Sequence, residues 1–214
     1  MPLQLRRAEL ADVNQLTDVF FSGFRKDAVM ARCFPEKPSV RQCWIDGLKR
    51  DLADPAVHLV AVVDTDLEGS PIIAYANWVA PRTATATAAA AATTDQGQQN
   101  PPMYPEDGDD LALAAFFFPH LKGHRERKMA GRTCWYLAAL VCHEEHQGRG
   151  AGGILMRYGV GAADAMQADI YVEASPPDVP VYKKFGFRDI GRVVVLDGMF
   201  TELFMLREYN EGSS

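Results

Sequence analysis

The feature that most constrains this chain is the stretch HQGRGAGG at 146–153, in which four of eight positions are glycine. It stands between the apolar run Cys134 to Val141 and a helical pattern that begins near Ile154. Glycines at a helix start remove side chains, so that backbone N–H groups and the positive end of the helix dipole can surround an anion. A second strand pattern follows in DIYVEAS at 169–175, where Ile170, Val172 and Ala174 alternate with Tyr171 and Glu173. Strand, helix and strand with that spacing need a crossover, so the two strands are expected to be parallel. Cys134 to Val141 is apolar enough for a central strand buried on both faces.

The remaining elements fit around this unit. Leu3 to Arg7 reads as a strand, and Leu10, Val13, Leu16, Val19, Phe20 and Phe24 then recur at helical spacing, with Glu9 or Asp12 near the helix start. Pro35 and Pro38 break the chain before a helix over Val40 to Leu52. Val57 to Val63 and Pro71 to Val79 are strands joined by a polar turn containing Gly69. Residues 81–110 are Ala/Thr-rich and then Pro/Gln/Asp-rich, which predicts a surface insertion; a lid over a site is the competing reading. Leu111 to Ala130 is helical, apolar through Phe118 and then basic at Lys122, Arg125, Arg127 and Lys128, which reads as a solvated face, with phosphate docking as the alternative. Ile154, Leu155, Tyr158, Ala162 and Ala165 mark the inner face of the crossover helix, a short helix covers Val179 to Lys184, and a last hairpin turns at Asp197-Gly198.

A chain of 214 residues fits one domain, 1–214. Its net charge of -6 lacks the basic footprint that nucleic acid or an anionic membrane would need. Cys33, Cys43, Cys134 and Cys142 show no C-x-x-C or metal-ligand spacing, which predicts reduced thiols and no metal. The N-terminal MPLQLRRAEL has no apolar signal core, so a cytoplasmic location is the expectation.

Two phosphate-loop patterns overlap in the glycine stretch. Gly148, Gly150 and Gly153 read as G-x-G-x-x-G, the dinucleotide fingerprint, and Glu173 lies 20 residues after Gly153, near where a ribose-binding acid belongs. In that fold the first glycine follows its strand almost directly. Here six residues, Cys142 to Gln147, separate Val141 from Gly148, and the 61 residues after Gly153 end in an antiparallel hairpin. Gln147, Gly150 and Gly152 also read as Q-x-x-G-x-G, and this pattern continues downstream. LAALVCHEEHQGRGAG, then a helix, a strand and PVYKKFGF at 180–187, resembles the GNAT superfamily of acetyl-CoA-dependent N-acetyltransferases. With YVEASPPDVPVYKKFGF it is similar to the branch holding puromycin-type small-molecule acetyltransferases.

The resemblance implies an α/β (α+β) fold with a central mixed sheet of six to seven strands, and acetyl-CoA as cofactor. It implies that the loop Gln147, Gly148, Arg149, Gly150, Ala151, Gly152 and Gly153 holds the coenzyme pyrophosphate. Arg149 either adds a charged contact or faces solvent. The strand edge Leu140, Val141 and Cys142 would pair with the pantetheine amides, with the Leu140 N–H on the thioester carbonyl. Tyr182 stands where the family places the tyrosine that protonates the coenzyme sulfur, a role that suits a group protonated at neutral pH. Glu173 and Tyr136 are the candidates for taking the acceptor's proton; His143 and His146 read as surface or capping residues. Ser175 occupies a position where the family often has asparagine, a departure from the family's pattern. Cys134 and Cys142 have no neighbouring base, so direct transfer in a ternary complex is expected. The acceptor expected is a small-molecule primary amine, against an apolar wall if Phe116 to Phe118 line the cleft. A protein or peptide acceptor and a catalytically silent acyl-CoA-binding module are the alternatives. A homodimer is compatible with the sequence.

Overall fold

The computed structural model describes residues 2–82 and 104–210. The reading of 81–110 as an insertion or lid therefore falls mostly outside the described residues. Seven strands form one mixed sheet: β1 (Leu3–Arg7), β2 (Val57–Asp64), β3 (Ile72–Val79), β4 (Cys134–Cys142), β5 (Asp169–Ala174), β6 (Arg188–Val195) and β7 (Phe200–Arg207). Their order is β1-β2-β3-β4-β5-β7-β6. Only β4 and β5 are parallel; every other pair is antiparallel.

Helices α1 (Val13–Gly23), α2 (Met30–Cys33), α3 (Pro38–Ala53) and α4 (Leu111–Met129) cover one face. Helices α5 (Ala151–Ala165) and α6 (Val179–Lys184) cover the other. The start of α1 is pinned to the end of β1 by a two-pronged Arg6–Asp12 pair at 2.6 and 2.8 Å, and Asp12 also accepts the Glu9 N–H at 2.8 Å. Asp110 caps α4 by accepting the Leu113 N–H at 2.9 Å. Pro38 sits in the first turn of α3, where its missing N–H costs nothing, so that helix begins earlier than Val40. The short α2 was not anticipated from the prolines around it.

Two expectations about the core are corrected. The buried face of α5 is Ala151, Leu155, Met156, Gly159 and Ala163, while Ala165 is exposed and Ile154, Tyr158 and Ala162 are half-buried. Gly159 sets this rotation: a Cβ there would lie 2.1 Å from the Trp78 ring, which is wholly buried beneath the helix. And β4 is buried on both faces only at its start. Asn77 pairs with Ala139 and Trp78 with Leu137, so Ala138 is an unpaired bulge. Pairing to β5 covers Cys134 to Leu137 and stops there. Beyond the bulge β4 stays with β3 and leaves β5, which opens the sheet in its middle.

Candidate active site

That opening is one wall of a cleft of about 940 Å³. It is lined by the end of α1 and the loop after it, by Leu140 to Cys142, by the glycine loop, by Ser175 to Asp178, by α6 and by Met199 to Thr201.

Antiparallel pairing decides which way β4 presents its amides. The His143 N–H bonds to the Ile73 carbonyl at 2.9 Å. Hydrogen-bonded positions alternate along such a ladder, so Val141 and Ala139 also face β3. Leu140 and Cys142 must then aim their N–H and C=O groups at the side β5 has vacated. The Gln147 amide reaches the Cys142 carbonyl from that side at 3.4 Å. Gly23 permits α1 to end against this edge, because a Cβ would meet Val141 at 2.5 Å.

The edge runs into the glycine loop. Gly148 and Gly150 have φ of +74° and +89°, a region glycine enters freely and other residues at a cost. Gly150 caps α5, so the free N–H groups of Ala151, Gly152 and Gly153 open into the cleft. A Cβ on Gly148, Gly150 or Gly152 would meet nothing within 4 Å. The space, the unpaired strand amides and the positive helix end fit a long ligand with a pyrophosphate and amide groups, as in coenzyme A. Arg157 adds charge, with its guanidinium within 3.5 Å of a Cβ built on Gly153.

Arg149 is exposed, in keeping with one of its two readings, but it is also held by a partner. Its guanidinium pairs with Asp64, at the end of β2, at 2.6 Å, and also approaches His146 Nδ1 at 3.1 Å. Burial opposes charge on Asp64, but Arg149, the Asp66 N–H and His146 outweigh it and hold the carboxyl below its usual range. The loop is thereby tied to the sheet. His143 accepts the Glu145 N–H at 3.3 Å and caps the turn over Glu144–His146. His143, Glu145 and His146 bring ligand atoms within 4.8 Å of one another, but both imidazole Nδ1 atoms are already engaged within the protein.

The structure places the proton-transfer candidates behind the cleft wall. Tyr182 is 4% exposed and packs on Phe187 on the α5/α6 side of the sheet, whereas Val181 and Phe185 of the same helix line the cleft. Burial first, then Asp178, raises its pKa above the ordinary phenol value. Glu173 and Tyr136 lie on the opposite face, where Arg125 joins them. The Arg125 guanidinium sits 3.0 Å from Glu173 and 4.0 Å from the centre of the Tyr136 ring. Burial raises the Glu173 pKa, against the opposing pull of Arg125 and the Tyr136 hydroxyl. Arg125 thus leaves the solvated face expected for it. Phe117 and Phe118 belong to the core and Phe116 is 54% exposed, so none of the three forms the expected apolar cleft wall. Ser175 donates to Asp178 at 2.7 Å at the cleft mouth. Burial pushes the Cys142 thiol up to about 11 and the Cys134 thiol to about 12, which suits neither to nucleophilic attack.

Sequence reasoning missed the pairings of Asp64 and Arg125, which act across the fold with no local pattern to mark them. It also missed Glu202 on β7, a half-buried residue whose pKa is raised by burial and then by Asp27. Arg157, one helical turn after Gly153, did carry a local signal.

Residues 106–201 match the family model described as the acetyltransferase (GNAT) domain. The chain carries a GNAT acetyltransferase domain. It is accordingly an acyltransferase. A curated acetyltransferase of Stachybotrys chartarum is 25% identical to it over 95% of this chain and 88% of its own. The seven-strand GNAT fold is shared with several solved structures. One is described as histone acetyltransferase HPA2 and related acetyltransferase from Corynebacterium glutamicum (TM-score 0.65, 19% identity, all of both chains). A second is a phosphinothricin acetyltransferase from Sinorhizobium meliloti with acetyl-CoA bound (0.61, 18%, 100% of this chain and 91% of that one). A third is a Drosophila melanogaster polyamine N-acetyltransferase that forms N-acetylagmatine (0.62, 14%, 96% and 99%). Among the described residues no helix of the GNAT domain is long and apolar enough to cross a membrane.

Proposed function

We propose that the domain transfers an acetyl group from acetyl-CoA to a primary amine of a small molecule, by direct attack in a ternary complex. The observation that carries this reading is the unpaired edge of Leu140 to Cys142, continuous in one cleft with the glycine cradle of α5. Bound acetyl-CoA supplies the acetyl group as a thioester. The N–H groups of Gly148 to Gly153 hold the pyrophosphate, Arg157 adds charge there, and Arg149 keeps the loop in place through Asp64. Leu140 and Cys142 offer amide partners to the pantetheine arm, and the Leu140 N–H stabilises negative charge on the carbonyl oxygen. Tyr182, held protonated by its burial, gives a proton to the departing sulfur. Glu173, with Tyr136 beside it, accepts the proton the amine must lose; its raised pKa moves it toward the range a base needs near neutral pH.

Calorimetry with acetyl-CoA, then thiol release across an amine panel that includes puromycin and a peptide, tests the reading. Micromolar binding and turnover on a small amine are expected. Tyr182→Phe should keep binding and lower kcat by about a hundredfold. No binding at high micromolar coenzyme would sink the proposal. Turnover on the peptide alone would move the acceptor to proteins, and full activity in Tyr182→Phe would remove the assigned acid.

A further inference from the structure

Helix α4 is carried in the chain between β3 and β4, two strands that pair directly with each other. Its start is fixed to α2, where the Arg32 carbonyl accepts the Asp109 and Asp110 N–H groups at 2.9 and 3.2 Å. Its middle is fixed to the core by Ala114, Phe117, Phe118 and Leu121. Arg125 stands four residues after Leu121, so it continues that inner face, whereas Glu126, Arg127 and Lys128 are exposed. An arginine turned inward is costly unless it is paired.

Arg125 is paired twice. Its Nη1 lies 3.0 Å from Glu173 Oε1, with side-chain exposures of 17% and 7%, and its guanidinium covers the Tyr136 ring at 4.0 Å. These partners belong to β5 and β4. The last parallel pair of those strands is Leu137 with Val172, so Glu173 is the first residue of β5 past the junction and Tyr136 lies just before it. Arg125 therefore bridges the two strands where they part, at the root of the gap that Leu140 and Cys142 border. The other titratable groups on this face are Tyr136, Tyr171, whose hydroxyl is 3.0 Å from His124 Nδ1 on α4, and Glu202 on β7. Asp27, in the loop after α1, and Asp178 oppose charge on Glu202 in turn. Burial, then Lys128 and Arg127, push His124 down to about 4, so it is neutral. Among the described residues only Arg125 brings positive charge to Glu173. Without it, a carboxylate enclosed here would keep its proton to higher pH.

We propose that Arg125 is a positioning residue for acetyl transfer: it holds Glu173 where β4 and β5 part, as an ionised carboxylate beside Tyr136, ready to take the proton of the amine. This rests on the reading of Glu173 as the base and adds the group that keeps it one. Control of the base then comes from α4, a helix outside the strand–helix–strand unit that carries the glycine loop. Arg125 itself touches neither the amine nor the thioester and acts only through Glu173 and Tyr136.

The test titrates Glu173 directly and in turnover, in the full-length chain. Infrared difference spectroscopy follows the band of the protonated carboxyl group across pH, assigned by its loss in Glu173→Gln. In Arg125→Met the band should persist to about one to three pH units higher than in the parent. With saturating acetyl-CoA and the best small-amine acceptor from the thiol-release panel, the acid limb of kcat against pH should move up by the same amount. On that limb the variant should be at least about tenfold slower, and it should recover toward the parent at alkaline pH. A packing defect would give no such recovery. Arg125→Lys, which keeps the charge but not the planar stack on Tyr136, should shift less than half as far. Thermal unfolding checks each variant, and Arg125→Gln makes the same comparison if the methionine variant does not fold. A band and a limb both unmoved in Arg125→Met, or a kcat lowered equally at every pH, would overturn the inference. Full kcat with an unchanged acid limb in Glu173→Gln would instead remove Glu173 as the base, and the inference would fall with that reading even where the band moves.

Discussion

Replacing Gly150 with alanine should damage coenzyme binding far more than folding, and replacing Gly159 should do the reverse. Both glycines belong to the loop-and-helix unit of α5, and their surroundings differ completely. At Gly150 the φ of +89° makes a side chain cost about 1 kcal/mol in the free protein. The added Cβ meets nothing within 4 Å, because it points into open cleft. In a chain of this size that cost lowers Tm by about 2–4 °C. Loss of one charged N–H contact to phosphate, at about 1.5–3 kcal/mol, should weaken acetyl-CoA binding about tenfold to a hundredfold. At Gly159 the Cβ would lie 2.1 Å from a Trp78 ring that has no exposed surface and no room to turn. Overpacking of this kind costs about 3 kcal/mol, offset by about 1 kcal/mol from alanine's better helix propensity. The net loss of about 2 kcal/mol is about 4–8 °C in Tm. Thermal unfolding by circular dichroism and calorimetric titration with acetyl-CoA read the two effects separately. Parent-like binding in Gly150→Ala would show that the loop is not a phosphate cradle. An unchanged Tm in Gly159→Ala would show that the packing of α5 on Trp78 does not set the helix's position.

Three further outcomes are expected. Folded Glu202 keeps its proton to higher pH than the unfolded chain does, so folding takes up a proton between the ordinary glutamate value and the raised one, and stability falls as pH rises through that window. Glu202→Gln should therefore raise Tm at pH 8 and lose that advantage toward pH 4; a constant difference across pH scans would contradict it. Asp64→Asn removes the charged partner of Arg149 and should raise KM for acetyl-CoA severalfold with kcat changed by less than about threefold. A fall in kcat alone would mean the pair does not position the loop. Cys142→Ala should keep turnover and intersecting double-reciprocal plots, since direct transfer needs no acyl-thiol; parallel lines that vanish with the thiol would reverse this.

The strand–loop–helix–strand unit was legible because its signals are local: alternation in DIYVEAS, glycines at a helix start, and proline and aspartate-glycine at the ends of α6 and the last hairpin. Val179–Lys184 and the β6–β7 turn fall where those signals put them. The inner face of α5 was misplaced because apolar periodicity overlooks glycine, and here glycine is the residue the tryptophan needs. The bulge at Ala138 leaves no trace in an apolar run, since it depends on how two strands match in length. Charge pairing was the least legible: Arg149 finds Asp64 from a distant strand, and Arg125 finds Glu173 across the sheet. A sequence shows that such residues carry charge but not which partner neutralises it.

The bulge has a consequence for what this protein can stick to. Strand edges normally lie at the rim of a sheet, where any extended chain can add itself and begin aggregation. This molecule keeps two further strand positions, Leu140 and Cys142, whose N–H groups face no neighbouring strand, in the interior of its sheet and along a cleft. The groups that a free edge would offer to a neighbouring molecule are thereby withdrawn from the rim, where an extended chain adds itself most readily, and turned into a concave site.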